Sequence, residues 1–600
     1  MLFNGEAMFG VVELSGQSHL GRCRVDQISQ RASRLGAKCG YQESGAAILG
    51  WASRTRNERR SNPYLTNANI RIAIAGEVIA LGGDHDSISA QDDDQNWIAE
   101  GYQSAGNEFL SRLDGTFALA LWNAQCQKLV LMTDRRSDAQ LFYRVQANQL
   151  VFASWLSLIA EPKQEIDRSS VNEFLRFLYI AAPRTIYDGY YRLEPGRYLL
   201  VSGGTVESHS LRQQNSPQPR ESWRGSPDDA LEKFQSHFEH AIERRIGRRR
   251  AGVFLSSGVD SATLMAGCHK LNPGQVEAFT VGFDSQELDE TNAARAYAEH
   301  FGVPHTVFKL DNAAYRRGFE SMAREYDQPF ADPAGLPLTI VSNAVKDRVD
   351  VLTGGTGGDD LFGAPIPRHL SFSLAFSAKL PTTLRSTIAT IIRNVGWGGL
   401  SQRAALFDFA DPEELFITWS GWRKTELEQL LGERVDFSES GFYRMFKTHQ
   451  HDDAQDLYDA LGVFPPDDCR FEAAAPANIP IELPYHDLDL HAYVNHLPSA
   501  FRMQDGVTKV LLKRLFERYF PKELQLVKKH YFNMPLPSLL AHNRFEIVRE
   551  NLARDVLIRH SLVDYERARP WVDRYVAGDD SLMFKVWALL VLHAWLESRN

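Results

Sequence analysis

Short runs that alternate apolar and polar residues recur through about the first 200 residues, and turn residues separate them. Alternation with a period of two is typical of strands that bury one face. A run at helical spacing, 171–179, interrupts the series. We therefore expect an α+β domain of antiparallel sheets with few helices, and the runs predicted as strands are 9–14, 46–51, 70–81, 116–122, 128–132, 150–155 and 197–201.

A polar, proline-containing stretch from Arg212 to Pro227 ends this pattern. We place a linker at 213–227, between a first domain, 1–212, and a second domain, 228–600. Ser226 and Pro227, followed by two acidic residues, predict the start of a helix. Its apolar stripe is expected to lie in the core. The arginines that follow, at 244, 245 and 248–250, are expected to form a solvated helix end.

From Val253 onward, strand-like and helical runs alternate, which predicts a parallel doubly wound sheet with its ligands at the carboxyl ends of the strands. Residues from about 365 to the end read as mainly helical. The apolar run 586–596 is too short to span a bilayer and predicts a buried helix. The predicted strands are 276–283, 305–310 and 349–353, and the predicted helices are 290–301, 313–326 and 336–346.

Composition narrows the functional classes. The 600 residues carry a net charge of -10, which argues against a general nucleic-acid binder. The five cysteines are scattered and form no Cys-x-x-Cys pair, so neither a disulfide framework nor a zinc site is predicted. No basic segment followed by an apolar one opens the chain. We expect a cytoplasmic enzyme with no nucleic-acid partner and no membrane span.

The first candidate site is the segment Ser256-Ser257-Gly258-Val259-Asp260-Ser261, which lies between a predicted strand and an apolar-periodic helix. Backbone N–H groups and hydroxyls at the start of a helix bind phosphate well. Asp260 fits such a loop if Mg²⁺ lies between it and the phosphates. The alternative is an ordinary helix cap in which Ser and Asp satisfy free amides.

A second polar loop, Gly354 to Gly363, follows the predicted strand 349–353. Its glycines allow close approach of the backbone to a ligand, and Asp359 follows them. Asp260 and Asp359 could share one Mg²⁺ if both loops lie at the same edge of one sheet. The alternative is a flexible turn with acidic surface residues.

These loops resemble those of the asparagine synthetase family. Residues 256–261 resemble its Ser-Gly-Gly-x-Asp-Ser loop, and residues 351–363 resemble its Ser-Gly-x-Gly-x-Asp-Glu-x-Phe-Gly loop. Segments 326–332 and 527–535 are similar to two further family segments, and the latter places Lys529 at the catalytic lysine. The resemblance implies ATP and Mg²⁺, catalytic roles for Lys529, Asp260 and Asp359, and an α/β domain of the adenine-nucleotide α-hydrolase type with helical additions.

The resemblance also assigns the remaining site residues. Asp332, Thr356, Asp360 and Lys509 are expected beside the substrate or just behind the site. The residues expected to bind the nucleotide or its pyrophosphate are Leu255, Ser256, Ser257, Gly258, Asp260, Ser261, Val281, Gly282, Phe283, Gly354, Gly355 and Lys529.

The N-terminal half is similar to the family's glutaminase domain, which is an Ntn-hydrolase-like sandwich. The similarity rests on residues 113–120, Asp134-Arg135 and 152–154. The family's nucleophile is a cysteine at the start of the processed chain, and Phe9 occupies the comparable position here. Since Phe cannot be a nucleophile, we expect a degenerate domain without glutaminase activity.

A synthetase without an ammonia supply needs another amine. Family members with this pattern include lasso peptide cyclases and β-lactam synthetases. The chain resembles a lasso cyclase most, which implies a precursor peptide as substrate and points to a leader peptidase and a leader-recognition protein as further partners. The alternatives are a β-lactam-type ligase, an ammonia-dependent asparagine synthetase, or a scaffold that only senses ATP.

Overall fold

The computed structural model describes most of the chain. The described residues are 6–14, 21–54, 69–80, 91–161, 163–211, 223–282, 290–363, 365–394, 404–409, 411–417, 421–449, 454–462, 468–474, 477–504, 506–525 and 536–599.

Two antiparallel sheets form the first domain. One sheet has the order β2-β3-β1-β8-β7-β9 and the other β11-β10-β6-β5-β4. The seven predicted strands are confirmed, with small shifts at their ends. The bounds are β1 Glu6–Glu13, β2 Lys38–Ser44, β3 Ala47–Ser53, β4 Ile70–Ala80, β5 Leu113–Asn123, β6 Lys128–Thr133, β7 Phe142–Gln146, β8 Gln149–Ala153, β9 Tyr191–Arg192, β10 Arg197–Ser202 and β11 Thr205–Ser210.

The sheets pack face to face, and alternate residues of each strand point to opposite layers. Met8 and Val12 of β1 lie between the sheets with Ala118 and Ala120 of β5. On the outer faces, one core includes the helix Gly21–Arg34 and another the helix Gln91–Ala105. The result is a four-layer sandwich of helix, sheet, sheet and helix.

A parallel four-stranded sheet forms the centre of the second domain, in the order β14-β13-β12-β15. The strands are β12 Ala251–Phe254, β13 Val276–Gly282, β14 His305–Lys309 and β15 Val351–Gly354. Apolar cores cover both faces of the sheet. The predicted doubly wound arrangement is therefore confirmed, and the strand order reverses between β12 and β15.

Helices make up most of the remaining described structure, as the sequence predicts for the C-terminal region. The further α-helices of the described residues are Leu156–Ile159, Arg168–Phe177, Pro227–Ile246, Val259–Leu271, Thr291–Phe301, Asn312–Glu325, Gly335–Val345, Gly358–Phe362, Arg368–Ala375, Thr382–Asn394, Lys424–Leu431, Gly441–His449, Ala454–Gly462, Asp468–Ala474, Leu488–His496, Ser499–Arg502, Val510–Tyr519, Lys522–Gln525, Leu536–Asn551, Arg554–His560, Tyr565–Val576 and Met583–Glu597. A short antiparallel pair, β16 Met503–Gln504 and β17 Val507–Thr508, precedes the helix Val510–Tyr519.

The two domains share one apolar core. It begins at the outer face of the first sheet, includes the helix Arg168–Phe177, and reaches the C-terminal helix Met583–Glu597. Trp587 and Trp595 of that helix are buried, so the prediction of a buried C-terminal helix is confirmed. Within the described residues, none of the helices combines the length and apolar character that a bilayer crossing requires.

The start of the helix Pro227–Ile246 has the predicted form. Ser226 accepts a hydrogen bond from the Asp229 N–H, and the Asp229 carboxylate accepts one from the Ser226 N–H. This reciprocal capping box provides acceptors for two backbone N–H groups that have no partner within the helix.

The prediction of a solvated end for the same helix is wrong for Arg244 and Arg245, whereas Arg248 and Arg250, just beyond the helix, are exposed as expected. Arg245 is 1% exposed and pairs with Asp114 of the first domain at 2.9 Å. Arg244 is half-buried and pairs with Asp487 at 2.6 Å. The helix end therefore lies in the domain interface, where acidic residues from distant parts of the chain neutralise the arginines.

Some strands of the first domain were not predicted from the sequence, because they are polar. The strand β11, Thr-Val-Glu-Ser-His-Ser, is mostly exposed and pairs with β10 along its whole length. An edge strand is stabilised by main-chain hydrogen bonds. Because these bonds do not require apolar side chains, the pattern of apolar residues does not reveal such a strand.

The buried His593 generates a prediction about pH. Burial, with a smaller contribution from neighbouring His560, lowers the pKa of His593 to about 3. Unfolding returns the ring to an ordinary pKa of about 6.5. Stability from the neutral ring is therefore complete above about pH 6.5 and is lost as the pH falls toward 3. We expect it to contribute about 2 kcal/mol to the loss of unfolding free energy between pH 7.5 and 5.

Urea unfolding of wild type and His593→Phe at both pH values measures this contribution. The variant should lose about 2 kcal/mol less than wild type on acidification. Exposed His369 provides the control, because its ring faces solvent, and His369→Phe should leave the pH dependence as it is. Equal pH dependence in wild type and His593→Phe would contradict the assignment.

Candidate functional site

The two candidate loops meet at the point where the strand order of the parallel sheet reverses. The strands β12 and β15 pair directly, with Phe254 opposite Gly354. One loop leaves each strand at its carboxyl end, and such a switch point is where open α/β sheets bind ligands. The helix Val259–Leu271 begins inside the first loop, with Gly258 as its N-cap. Both loops therefore face the region into which this helix directs its free N–H groups.

Hydroxyl groups set the shape of the first loop. The Ser256 Oγ accepts a hydrogen bond from the Gly258 N–H at 3.1 Å, and the Ser261 Oγ accepts one from the Ser256 N–H at 3.1 Å. The two hydroxyl oxygens lie 3.0 Å apart. The side chains of Ser256 and Ser261 thus fix the shape of the turn through hydrogen bonds within the loop.

Ser257, which replaces the family's glycine, makes a different contact. Its hydroxyl donates to the Glu290 carboxylate at 2.9 Å, and both residues are buried. Glu290 lines the cavity described below. Sequence reasoning placed Glu290 only at the start of a helix, because nothing in the local pattern connects it with a loop about 30 residues earlier.

The two loops touch because the second one has glycines where they meet. A Cβ at Gly358 would lie 2.3 Å from the Asp260 Oδ1, and one at Gly355 would lie 2.8 Å from the Ser261 N. Neither distance leaves room for a side chain. The Asp260 carboxylate therefore lies directly against the backbone of the second loop.

Lys509 joins the two candidate carboxylates. Its Nζ lies 2.6 Å from the Asp260 Oδ1 and 2.7 Å from the Asp359 Oδ1. Burial by itself would lower the pKa of Lys509, but Asp260 and then Asp359 outweigh it, and the pKa lies above its ordinary value. The lysine therefore carries its charge in the folded protein. One cation reaches both carboxylates, so the two loops form a single anionic site.

A cavity of about 360 Å³ opens between the loops, a size within the usual range for small-molecule and cofactor sites. The lining combines polar groups of the loops with apolar side chains of the surrounding elements. The polar set includes Ser256, Gly258, Asp260, Ser261, Gly355, Thr356 and Asp359, and the apolar set includes Phe279, Val281, Pro337, Leu338, Ile481 and Leu483. A ligand with both polar and apolar parts fits such a lining.

Several of these residues were not found from the sequence. Ile481 and Leu483 lie more than 100 residues beyond the second loop, and nearby Tyr485 donates its O–H to the Asp260 carbonyl at 2.9 Å. The Thr280 hydroxyl, at the cavity wall, donates to the Leu255 carbonyl at 2.7 Å. Only the folded chain brings these residues to the loops, and no local motif marks them.

Other predicted site residues lie beside the cavity or behind it. Gly282 ends β13, outside the lining of the cavity. Asp332 accepts a hydrogen bond from the N–H of Ala334, which does line the cavity. Asp360 points away and pairs with Arg136 of the first domain at 2.8 Å. Phe283 and Lys529 lie outside the described residues.

The carboxylates fit a magnesium ion that is shared with phosphate. Mg²⁺ prefers oxygen ligands and is commonly held by one or two carboxylates together with phosphate oxygens and water. Asp260 and Asp359 supply such a pair. In the part of the chain that the structure describes, no cluster of three or more His, Cys, Asp or Glu side chains is placed to hold a metal by itself.

Substituting Gly358 tests the contact between the loops. Gly358→Ala should push the Asp260 carboxylate away from the second loop and weaken binding of a magnesium nucleotide at least about tenfold, because one pair of misplaced charged groups costs about 1.4 kcal/mol or more. Calorimetric titration with Mg·ATP measures the effect. Gly267→Ala is the matched control: its Cβ would meet Ile242 Cδ1 at 2.6 Å in the core. It should lower stability but leave nucleotide affinity unchanged, whereas equal affinities in all three proteins would contradict the assignment.

Comparisons with known proteins bear on both domains. The sequence model of the asparagine synthase family matches residues 233–597, and that of a glutamine amidotransferase domain matches residues 83–212. The chain is 22% identical over 528 residues to asparagine synthetase (glutamine-hydrolyzing) 1 of Bacillus subtilis (strain 168), across 84% of this chain and 80% of that protein. It is 27% identical over 283 residues to amidase chry2 of Gibberella zeae, across 44% of this chain and 41% of that protein.

Among solved structures, a glutamine phosphoribosylpyrophosphate amidotransferase from B. subtilis matches this chain at 12% sequence identity. The match covers 59% of this chain and 77% of that chain. Its TM-score of 0.24 is too low to support an argument about the fold. The family match is the stronger finding, because it spans more than half of the chain and includes both nucleotide loops. Ligases of the asparagine synthetase type use ATP with Mg²⁺. The chain belongs to the asparagine synthase family and is an ATP-dependent amide ligase of the asparagine synthetase type.

Proposed function

We propose that this protein is a lasso peptide cyclase. It would activate an Asp or Glu side chain of a leader-cleaved precursor peptide and join it to the N-terminal amine of the same peptide. The observation that carries the proposal is the combination of two well-formed nucleotide loops with a buried phenylalanine, Phe9, at the position that the resemblance assigns to the amidotransferase cysteine.

Position 9 is a core position, filled by an aromatic ring that cannot act as a nucleophile. Phe9 is 0% exposed and lies inside β1, opposite Gly50 of β3 and Ala153 of β8. Its ring fills the space above Gly50, where a Cβ would lie 2.1 Å from the ring. The side chain belongs to the apolar core on the outer face of the sheet. We infer that the amine does not come from hydrolysis of glutamine.

Activation of the carboxylate is the first chemical step. A side-chain carboxylate of the peptide attacks the α-phosphorus of ATP, which forms an acyl-adenylate and releases pyrophosphate. Asp260 and Asp359 would hold Mg²⁺ beside the phosphates, where the ion would supply positive charge. Lys509 keeps the two loops together at this point. By the resemblance, Lys529 adds charge where the transition state becomes more negative.

Amide formation is the second step. The peptide's N-terminal amine attacks the acyl carbon, AMP leaves, and the amine loses one proton. The sum is loss of one water from the peptide and cleavage of ATP to AMP and pyrophosphate. A terminal amine has an ordinary pKa of about 7.7–8.0, so a useful fraction of it is uncharged near neutral pH. This chemistry is compatible with Thr356 at the cavity wall, where asparagine synthetases carry a glutamate that handles the incoming amine.

The region after the second loop supports a peptide substrate. The helices Arg368–Ala375 and Thr382–Asn394 follow this loop directly in the chain. They and the turn between them expose large apolar side chains, which is uncommon on a surface that meets only water. A short peptide could cover this surface, and the exposed side chains are Phe372, Phe376, Leu384 and Ile391.

The second candidate is a ligase for a small molecule, either of the β-lactam synthetase type or an ammonia-dependent asparagine synthetase. The similarity to asparagine synthetase (glutamine-hydrolyzing) 1 over 80% of that protein's length favours it. The two candidates differ in the carboxylate that drives ATP–pyrophosphate exchange. Aspartate or another small acid would drive exchange in the second candidate, and the precursor peptide would drive it in the cyclase.

Mass spectrometry of a leader-cleaved precursor tests the cyclase directly. Incubation with this protein, ATP and Mg²⁺ should give a product lighter by one water, together with AMP, and tandem spectra should place the new bond between the N-terminus and an acidic side chain. Asp359→Asn should abolish the product, because it removes one carboxylate of the proposed metal site. Exchange driven by aspartate, with no change in the peptide, would favour the second candidate.

Lys529 provides a test of activation. Lys529→Ala should slow pyrophosphate release in a single turnover by about a hundredfold or more, because a positioned charge that stabilises the transition state contributes at least that much. The neighbouring Lys528→Ala is the matched control, and a rate close to wild type is expected. Equal rates of pyrophosphate release in the two variants would contradict a role of Lys529 in activation.

A further inference from the structure

One stretch of the second domain lies between the nucleotide loops and the first domain. We name residues 480–488 the connector segment. It begins as an extra strand beside β15, where the Leu352 N–H donates to the Pro480 carbonyl and the Glu482 N–H donates to the Leu352 carbonyl. It ends at Leu488, the first residue of the helix Leu488–His496. The connector segment therefore passes along the edge of the sheet that carries the second loop.

On one side, the connector segment contacts both nucleotide loops. Tyr485 donates its O–H to the Asp260 carbonyl in the first loop. The next residue, His486, packs against Gly357 in the second loop, where a Cβ would lie 2.4 Å from the His486 Cδ2. Gly357 has a φ of 89°, which other residues rarely adopt. His486 thus lies against the backbone two residues before Asp359.

On the other side, the same residues contact the first domain. The His486 Nδ1–H donates to the Asp138 carboxylate at 2.7 Å, and both side chains are buried. The Leu488 N–H donates to the Asp114 carboxylate at 3.0 Å. His486 is therefore held between a carboxylate of the amidotransferase-like domain and the second nucleotide loop.

Asp138 lies in a rigid turn. The Asp134 carboxylate accepts hydrogen bonds from the N–H groups of Arg136, Asp138 and Ala139. Burial alone would raise the pKa of Asp138, but His486, together with Arg136 and Arg245, outweighs burial and lowers the pKa to about 2. Asp138 is thus an ionised acceptor for His486.

The same turn also reaches the other side of Asp359. Arg136 pairs with Asp360 at 2.8 Å. The turn 134–139 therefore contacts the second loop on both sides of Asp359, through His486 at Gly357 and through Arg136 at Asp360. The buried pair of Arg245 and Asp114 holds the two domains together beside these contacts.

We propose that Asp138 and His486 are a positioning pair, through which the amidotransferase-like domain fixes the second nucleotide loop and with it Asp359. This gives the first domain a function in nucleotide binding that needs no glutamine hydrolysis. The proposal depends only on the use of Mg·ATP, and it holds whether the amine comes from a peptide or from a small molecule.

Four variants test the pair through Mg·ATP affinity, measured by calorimetry without any second substrate. His486→Ala and Asp138→Asn should each weaken binding about tenfold. The double variant should bind Mg·ATP only slightly more weakly than either single variant, because the two residues act as a unit. His486→Asn should recover part of the affinity, since its amide can donate from near the place of the imidazole Nδ1. In parallel, hydrogen exchange at residues 354–360 should become faster in the weakened variants.

A second buried ion pair between the domains provides the control. Arg176 and Glu414 lie 3.0 Å apart and are as buried as Asp138 and His486, and neither lines the cavity. Glu414→Gln should lower the unfolding midpoint without changing Mg·ATP affinity or exchange at 354–360. An unchanged affinity in His486→Ala and Asp138→Asn would overturn the proposal, as would an equal loss in Glu414→Gln. If His486→Ala fails to fold, the comparison of His486→Asn and Asp138→Asn with Glu414→Gln decides the question.

Discussion

The close contact between the two nucleotide loops is the constraint on which the site depends. Asp260 can lie against the second loop only because Gly355 and Gly358 have no side chains there. This contact brings the Asp260 and Asp359 carboxylates to one point, where the Lys509 ammonium balances them. The uncompensated approach of two carboxylates in a partly buried place would be costly. The site therefore depends both on the glycines that allow the loops to touch and on the lysine that compensates the two carboxylates.

Charge balance also governs the domain interface. Asp114 of the first domain supplies the counter-charge for the buried Arg245, and Asp138 of the same domain accepts a hydrogen bond from the buried His486. Removing one partner of such a buried pair is expensive, because the other charge stays buried without compensation. The first domain therefore supplies part of the compensation for the buried Arg245 of the second domain, beside the second domain's own Glu482.

The sequence predicted the elements whose pattern is local. Strands with alternating apolar residues, the capped helix at Ser226 and the two polar loops after parallel strands all appear where expected. It did not predict β11, because an edge strand can be polar. It was wrong about Arg245, because a basic cluster at a helix end has the same local pattern in solvent and in an interface. Glu290 and Tyr485 were missed, since no motif connects them with the loops.

The sequence by itself determined the composition of the two candidate loops, and their resemblance to the loops of the asparagine synthetase family indicated the family, because this signal lies in short contiguous segments. Only the tertiary structure decided what surrounds those loops. Lys509 between the carboxylates, the connector segment against Gly357 and the counter-charges of the first domain come from residues 100 or more positions away. Their meeting depends on the burial of the whole shared core, a property of the folded chain that no local pattern encodes.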